Sequence, residues 1–263
     1  MGLAWLHRKP IVATRRVMFE PKQSWFTRHK YLSVAKIACI SQSIASQLAR
    51  WGVPPAQLAC VPDAVPLPEN RPDRRVLRDR LQLPDDRPIV GCIGALTAEK
   101  DHITLLHAAR QLQAKNGRVR VVIIGDGPLE ADLLQLRDEL GLDQAVQFTG
   151  FIPEAETLLG AFDAFVLCSR AEGLGSIILD AFAAGVPVVA TAVGGIPELV
   201  SDEATGLLIQ VGDAAGLASA LERLLSDSAL RSRLTSAARA LVEREFTVQR
   251  MAQRYVTLYE QLI

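Results

Sequence analysis

The sequence lacks most of the short motifs that would assign it at once. No G-x-G-x-x-G follows a strand-like run, which disfavours a nicotinamide dinucleotide site, and no G-K-[ST] closes a P-loop. There is no G-x-S-x-G elbow, so an α/β-hydrolase is not indicated. There is no D-x-D pair, so a metal-clamped diphosphate is not indicated, and no metal or other cofactor is implied. The four cysteines, Cys39, Cys60, Cys92 and Cys168, are far apart and show no C-x2-C spacing. That argues against a zinc site or a disulfide framework, and for small buried hydrophobes in a reducing cytoplasm. Charge of one sign is missing as well: 29 basic and 29 acidic residues cancel, so bulk charge gives no case for nucleic acid. The longest uncharged apolar run, residues 181–193, contains Gly185 and Pro187 and is too short to span a bilayer. The first ten residues are not a secretory signal, because their basic residues follow the apolar stretch, and Leu6 breaks the myristoylation pattern. At most peripheral membrane contact is expected.

What is present is a globular composition, 49% hydrophobic and 22% charged over 263 residues, long enough for two domains. Residues 1–66 alternate β–α–β–α–β: strands at 11–14, 36–40 and 58–61, helices at 23–34 and 41–52. Two or three strands cannot close a core alone, so this piece reads as the remnant of an N-terminal domain, its incomplete sheet prone to self-association. Arg15 and Arg16 follow the first strand, at the kind of end where open α/β sheets bind ligands. They suit a phosphate, an acidic acceptor or a solvated turn. Residues 67–87 read as a linker with a short helix at 74–81 whose basic side chains are expected in solvent.

From residue 88 the β/α alternation is clearer, and about six repeats imply an α/β, doubly wound parallel sheet over 88–245. Strands are expected at 89–93, 119–124, 146–149, 164–168, 187–191 and 206–210, with a helix at 154–162 and a last helix from 247. His102 and His107 are expected as partly exposed helix residues with poor ligand spacing.

The chemistry concentrates in residues 172–200. Glu172, Gly173, Leu174, Gly175 and Ser176 form a loop, and Ile177 enters an apolar helix that carries Asp180. At 100° per residue, Ile177, Ile178, Ala181 and Phe182 share one arc, the expected buried face. Asp180 lies beside that arc and leans toward the helix start, where free amides and the positive dipole end lie. The result is an anion site with a carboxylate suited to sugar hydroxyls.

Glu172, seven residues and Asp180, followed by G-G-I-P-E, resemble the E-x7-E region of retaining GT-B glycosyltransferases of family 4, with Asp where the family usually has Glu. Gly94-Ala95-Leu96 followed by Lys100 is similar to that family's G-R-L-x-x-x-K turn, in which Arg and Lys grip the donor diphosphate. Lys100 matches and Ala95 replaces the arginine. Gly125-Asp126-Gly127-Pro128 is similar to its G-x-G-P turn lining the nucleotide pocket, although Asp126 also suits a plain βα turn. Gly150-Phe151-Ile152 matches the backbone that meets the nucleobase, with Phe151 either stacked on the base or buried. The resemblance implies Glu172 and Lys100 as catalytic residues, Glu172 on the donor sugar, Asp180 on the ribose, and a nucleotide-diphosphate sugar as donor. It also implies a glycan or lipid acceptor, polysaccharide or lipopolysaccharide synthesis, and a last helix, 246–263, that packs back toward the N-terminal part. The alternatives are a truncated, non-catalytic nucleotide-sugar-binding module and a GT-B-fold sugar-nucleotide epimerase.

Overall fold

The computed structural model describes residues 9–67, 73–83 and 86–262, except for the side chain of Asn116. The first residues of the chain lie outside them. Two parallel sheets organise the rest. In the smaller one, β1 (Val12–Arg15), β2 (Lys36–Cys39) and β3 (Leu58–Cys60) lie in that order, joined through α1 (Trp25–Leu32) and α2 (Gln42–Trp51). α2 is set by its ends. Ser41 accepts from the Ile44 amide, and Gly52, at φ 111°, takes the left-handed turn that closes the helix. The outer edge of β1 has no strand partner among the described residues.

The larger sheet has the order β6-β5-β4-β7-β8-β9, from β4 (Ile89–Ile93), β5 (Arg120–Ile124), β6 (Val146–Phe148), β7 (Ala164–Leu167), β8 (Val188–Thr191) and β9 (Leu207–Ile209). These strands are near-continuous apolar runs because both faces are covered. The period of two sorts them. Val122, Ile124, Phe165 and Leu167 face one core, and Val121, Ile123, Ala164 and Val166 the other. The first core also takes in Ile37, Ile44 and Leu48, so both sheets share it. The second packs Leu105, Leu106 and Leu112 of α4 (His102–Asn116) and Leu217 and Leu221 of α8 (Ala214–Ser226).

The intervening helices are α3 (Arg74–Arg80), α5 (Glu130–Glu139), α6 (Ile177–Ala183) and α7 (Ile196–Leu199), and α9 (Ser228–Glu245) and α10 (Val248–Glu260) follow α8. Leu258 of α10 packs with Ala38 and Val61, and Met251 and Tyr255 lie against Val12 and Ala59. The last helix therefore lies on the small sheet. Among the described residues no helix is long and apolar enough to cross a membrane.

Four local expectations need correction. Arg78 is buried, not in solvent, and donates to the Arg87 carbonyl, while Leu77, Leu81 and Leu83 sink into the core. The connecting helix is thus packed along one side. The segment 154–162 is a 3₁₀-helix, Ala155–Ala161, entered from Glu154 at φ 53°. Its three-residue repeat puts Ala155, Leu158 and Ala161 on one buried ridge. On α6, Leu179 is buried and Ile177 only half so, because α6 is enclosed by the sheet and α9. His102 is fully buried, whereas His107 is exposed as expected. Finally, Cys39 and Cys60, distant in sequence, are partners in the β2–β3 register, both as free thiols. Burial pushes them up to about 12 and about 11.

Candidate functional site

The sheet order places the site. Strand order reverses between β4 and β7, whose neighbours β5 and β8 lead away in opposite directions. In open α/β sheets the crevice beyond the carboxyl ends of such strands is where ligands bind. The turn after β4 carries Gly94, Ala95 and Lys100, and the turn after β7 carries Ser169, Arg170 and Glu172.

The two turns meet in one ion pair. Lys100 Nζ lies 2.6 Å from Glu172 Oε2, and Ser169 Oγ donates to the same oxygen at 3.1 Å. The lysine stem runs over Gly94, whose missing Cβ would stand 3.7 Å from Lys100 Cδ and Cε. A second link lies alongside. Arg170 Nε is 3.0 Å from Asp101 Oδ2, and Thr104 Oγ1 donates to Asp101 at 2.8 Å. Asp101 sits at φ 50° and is buried. Behind them lies His102. Burial and then Lys100 push its imidazole down to about 4, so it is neutral, and neither ring nitrogen has a hydrogen-bond partner among the described residues.

Glu172 is held by backbone as well as by charge. Gly195 N donates to Glu172 O at 3.2 Å, and a Cβ on Gly194, which stands at φ 54°, would fall 1.8 Å from that oxygen. The turn after β5 locks onto the turn after β4 in the same way. Leu96 N donates to Asp126 O at 2.8 Å, and a Cβ on Gly125 would fall 2.1 Å from Gly94 O. The turns after β4, β5 and β6 line a cleft of about 330 Å³, which takes in Gly94, Ala95, Gly125, Asp126, Phe151 and Ile152 among others. Phe151 is 69% exposed, a free aromatic face at the rim. Three turns distant in sequence are brought together there. Of the expected site residues, Lys100, Gly127, Asp180 and the stretch 172–177 lie outside this lining, and the Leu174 side chain is buried in the core.

Asp180 lies on α6 within reach of Glu156, which lines the same cleft. Burial, and then the Glu156 charge, push its carboxyl up to about 6. A raised carboxyl favours the protonated fold. That stability is present below the unfolded value near 3.8 and is lost as pH rises through about 6. Asp180→Asn, neutral throughout, should therefore raise Tm above pH 7 by a gain on the order of 2 kcal/mol and leave it unchanged near pH 4. Thermal melts at the two pH values check this, and an equal shift at both would refute the burial argument.

Sequence reasoning missed the residues that join the two sheets at the crevice. Asp63, buried after β3, accepts from Ser176 Oγ at 2.5 Å and pairs with Arg16 at 2.6 Å. Arg15, by contrast, belongs to β1 and turns away, donating to Tyr31 Oη at 2.8 Å. Glu198 of the G-G-I-P-E run accepts from the amides of Gln42 and Ser43, both at 2.8 Å, at the start of α2. No spacing rule reveals such partners, which are separated by up to 156 residues.

Comparison with known proteins now adds the family. The family described as Glycosyl transferases group 1 matches residues 73–241, well over half of the chain. The chain belongs to that family. Group 1 membership extends to relatives such as the lipopolysaccharide core biosynthesis glycosyltransferase LpsD of Rhizobium meliloti, 31% identical over 88% of this chain and 65% of that protein. The alpha-D-kanosaminyltransferase of Streptomyces kanamyceticus is 29% identical over 98% of this chain and 68% of its own length. The chain thus spans about two thirds of these relatives. Among solved structures, Anabaena HepE in complex with UDP and glucose superposes with a TM-score of 0.88 at 22% identity, over 98% of this chain and 73% of that one. The group 1 chain therefore has the GT-B fold, its larger sheet the Rossmann-like half.

Proposed function

We propose that this chain transfers a sugar, with retention, from a nucleotide-diphosphate sugar to a glycan or lipid-linked acceptor. The observation that carries this reading is the Lys100–Glu172 pair spanning the point where strand order reverses. A cation there neutralises charge that builds on the departing diphosphate, and that differential is what accelerates such a step. When Lys100 turns to the phosphates, Glu172 is left to accept hydrogen bonds from the donor sugar's hydroxyls. Ser169 and the Gly194–Gly195 backbone hold Glu172 in place meanwhile. Asp180 takes the ribose, Phe151 and Ile152 the base, and the amides of Gly173–Ser176 the remaining phosphate oxygens. Ala95 supplies no second cation, so Lys100 bears more of the charge than in the family pattern. No metal enters this scheme. The UDP held by HepE and the sugar-transferring relatives support a nucleotide donor.

Calorimetric titration with UDP, GDP and ADP in turn tests the reading. One nucleotide should bind, and Asp180→Ala should weaken it about tenfold or more, the loss of a hydrogen bond to a charged group. Absence of binding by all three would overturn it.

A further inference from the structure

Position 95 holds alanine, so the turn after β4 brings one cation, Lys100, to the crevice. A second stands on the small sheet. Arg16 directly follows β1, and Asp63 lies three residues beyond β3. Both therefore sit at carboxyl ends of parallel strands, the ends that line a ligand crevice. The Arg16 guanidinium takes both oxygens of Asp63, with Nη1 at 2.6 Å from Oδ1 and Nη2 at 2.8 Å from Oδ2. Asp63 in turn accepts from Ser176 Oγ at 2.5 Å, where α6 begins. The backbones are as close as the side chains. Arg16 O stands 3.1 Å from the position a Cβ on Gly173 would take.

We propose that Arg16 is a further diphosphate-binding residue, which reaches the donor phosphates from the small sheet and supplies the cation that Ala95 does not. The inference rests on the nucleotide-diphosphate reading of the crevice. Part of the charge left to Lys100 is then met from the opposite side. Arginine carries five N–H donors in a fixed fork, and Asp63 takes two of them. Three remain, and the Arg16 side chain is 60% exposed, so an anion can approach them. Phosphate oxygens match that fork with two parallel hydrogen bonds. Arg16 can thus bridge the carboxylate and the ligand, which leaves the buried Asp63 compensated throughout. Asp63, anchored by Ser176, aims the guanidinium at the loop 173–176 before a ligand arrives, and a pre-aimed side chain loses little freedom on binding. The neighbouring Arg15 has no such role, because Tyr31 Oη and the Phe19 carbonyl hold its guanidinium. Arg170 is the competing cation. Its guanidinium spans Asp101 instead, and among the described residues it has no link to the loop 173–176.

Calorimetry on the full chain tests it with three probes: whichever of UDP, GDP and ADP binds, the matching monophosphate, and inorganic pyrophosphate. Asp63→Asn breaks the pair and keeps the cation. It should weaken nucleoside diphosphate binding by less than about fivefold. Arg16→Gln/Asp63→Asn breaks the same pair and removes the cation. It should weaken the nucleoside diphosphate and pyrophosphate by roughly a further ten- to hundredfold, the loss of a charge-assisted hydrogen bond. The monophosphate should bind the two variants alike. Arg16→Lys, which keeps the charge without the fork, should fall between the unaltered chain and the double variant. Arg15→Gln should leave all three affinities unchanged. Equal diphosphate affinity in Asp63→Asn and the double variant would overturn this inference and leave the donor reading standing. So would a loss shared equally by the monophosphate, or one produced by Arg170→Gln in place of Arg16→Gln/Asp63→Asn. If the unaltered chain binds none of the three nucleoside diphosphates, the donor reading falls and this inference with it.

Discussion

Gly194→Ala should abolish measurable nucleotide binding, a loss of at least a hundredfold, while leaving the chain folded. The backbone at Gly194 is left-handed, and the added Cβ would stand 1.8 Å from the Glu172 carbonyl oxygen and 2.9 Å from its carbon. Backbone atoms cannot rotate away as the end of a side chain can, so one loop must move. The loop that moves carries Glu172, and with it goes the partner that now orients Lys100. Strain and displacement together should cost about 2–4 kcal/mol of stability. Gly212→Ala is the matched control. Gly212 has φ 75°, but nothing lies within 4 Å of its would-be Cβ. It should show only the left-handed penalty of about 1 kcal/mol and bind nucleotide normally. Calorimetry and thermal melts on both variants decide the matter. Normal binding by Gly194→Ala would mean that the Glu172 loop does not set the site.

Lys100→Ala should weaken nucleotide-diphosphate binding by about a hundredfold or more, and Lys115→Ala should leave it unchanged. Both lysines make ion pairs of 2.6 Å, so pair geometry does not distinguish them. Surroundings do. The Lys115–Glu222 side chains are 56% and 44% exposed, a solvated pair of small net worth. The Lys100–Glu172 side chains are 26% and 16% exposed, at the crevice. Removing Lys100 subtracts a cation and also leaves the Glu172 carboxylate facing an incoming diphosphate with its charge uncompensated. Lys100→Ala/Glu172→Gln should accordingly recover about tenfold of the lost affinity, because the repulsion is gone while the cation is still missing. Equal effects at positions 100 and 115 would sink the assignment of Lys100.

The larger sheet was legible because its strands are buried on both faces. The runs at 89–93 and 119–124 have no polar face to blur them, and glycine or proline punctuates their ends. The α2 boundaries were equally plain, since a serine cap and a glycine stop are local chemistry. The turns that form the cleft could be read for the same reason, as each glycine answers a nearby backbone demand. What escaped depended on enclosure from afar. His102 looks like a surface residue at a helix start, yet the turn after β4 folds it beneath Lys100. Leu179 falls off the apolar arc of α6 but meets other elements there. Glu198 reads as an exposed acid after a proline, because its partners are the amides of Gln42 and Ser43, which carry no side-chain signature.

The cap that Glu198 places on α2 also bears on the order in which the chain is made. Residues 12–60 leave the ribosome before the larger sheet, and among the described residues they hold the three strands of the small sheet. Yet the amides at the start of α2 wait for Glu198, and the face of β1, β2 and β3 waits for Leu258 and its neighbours on the final helix. Contacts of such long sequence separation form slowly, after the intervening loop has been closed. Of the two sheets, the one synthesised earlier is thus completed later. During translation the larger sheet, whose neighbours in sequence are mostly neighbours in space, is the natural scaffold on which the earlier segment comes to rest.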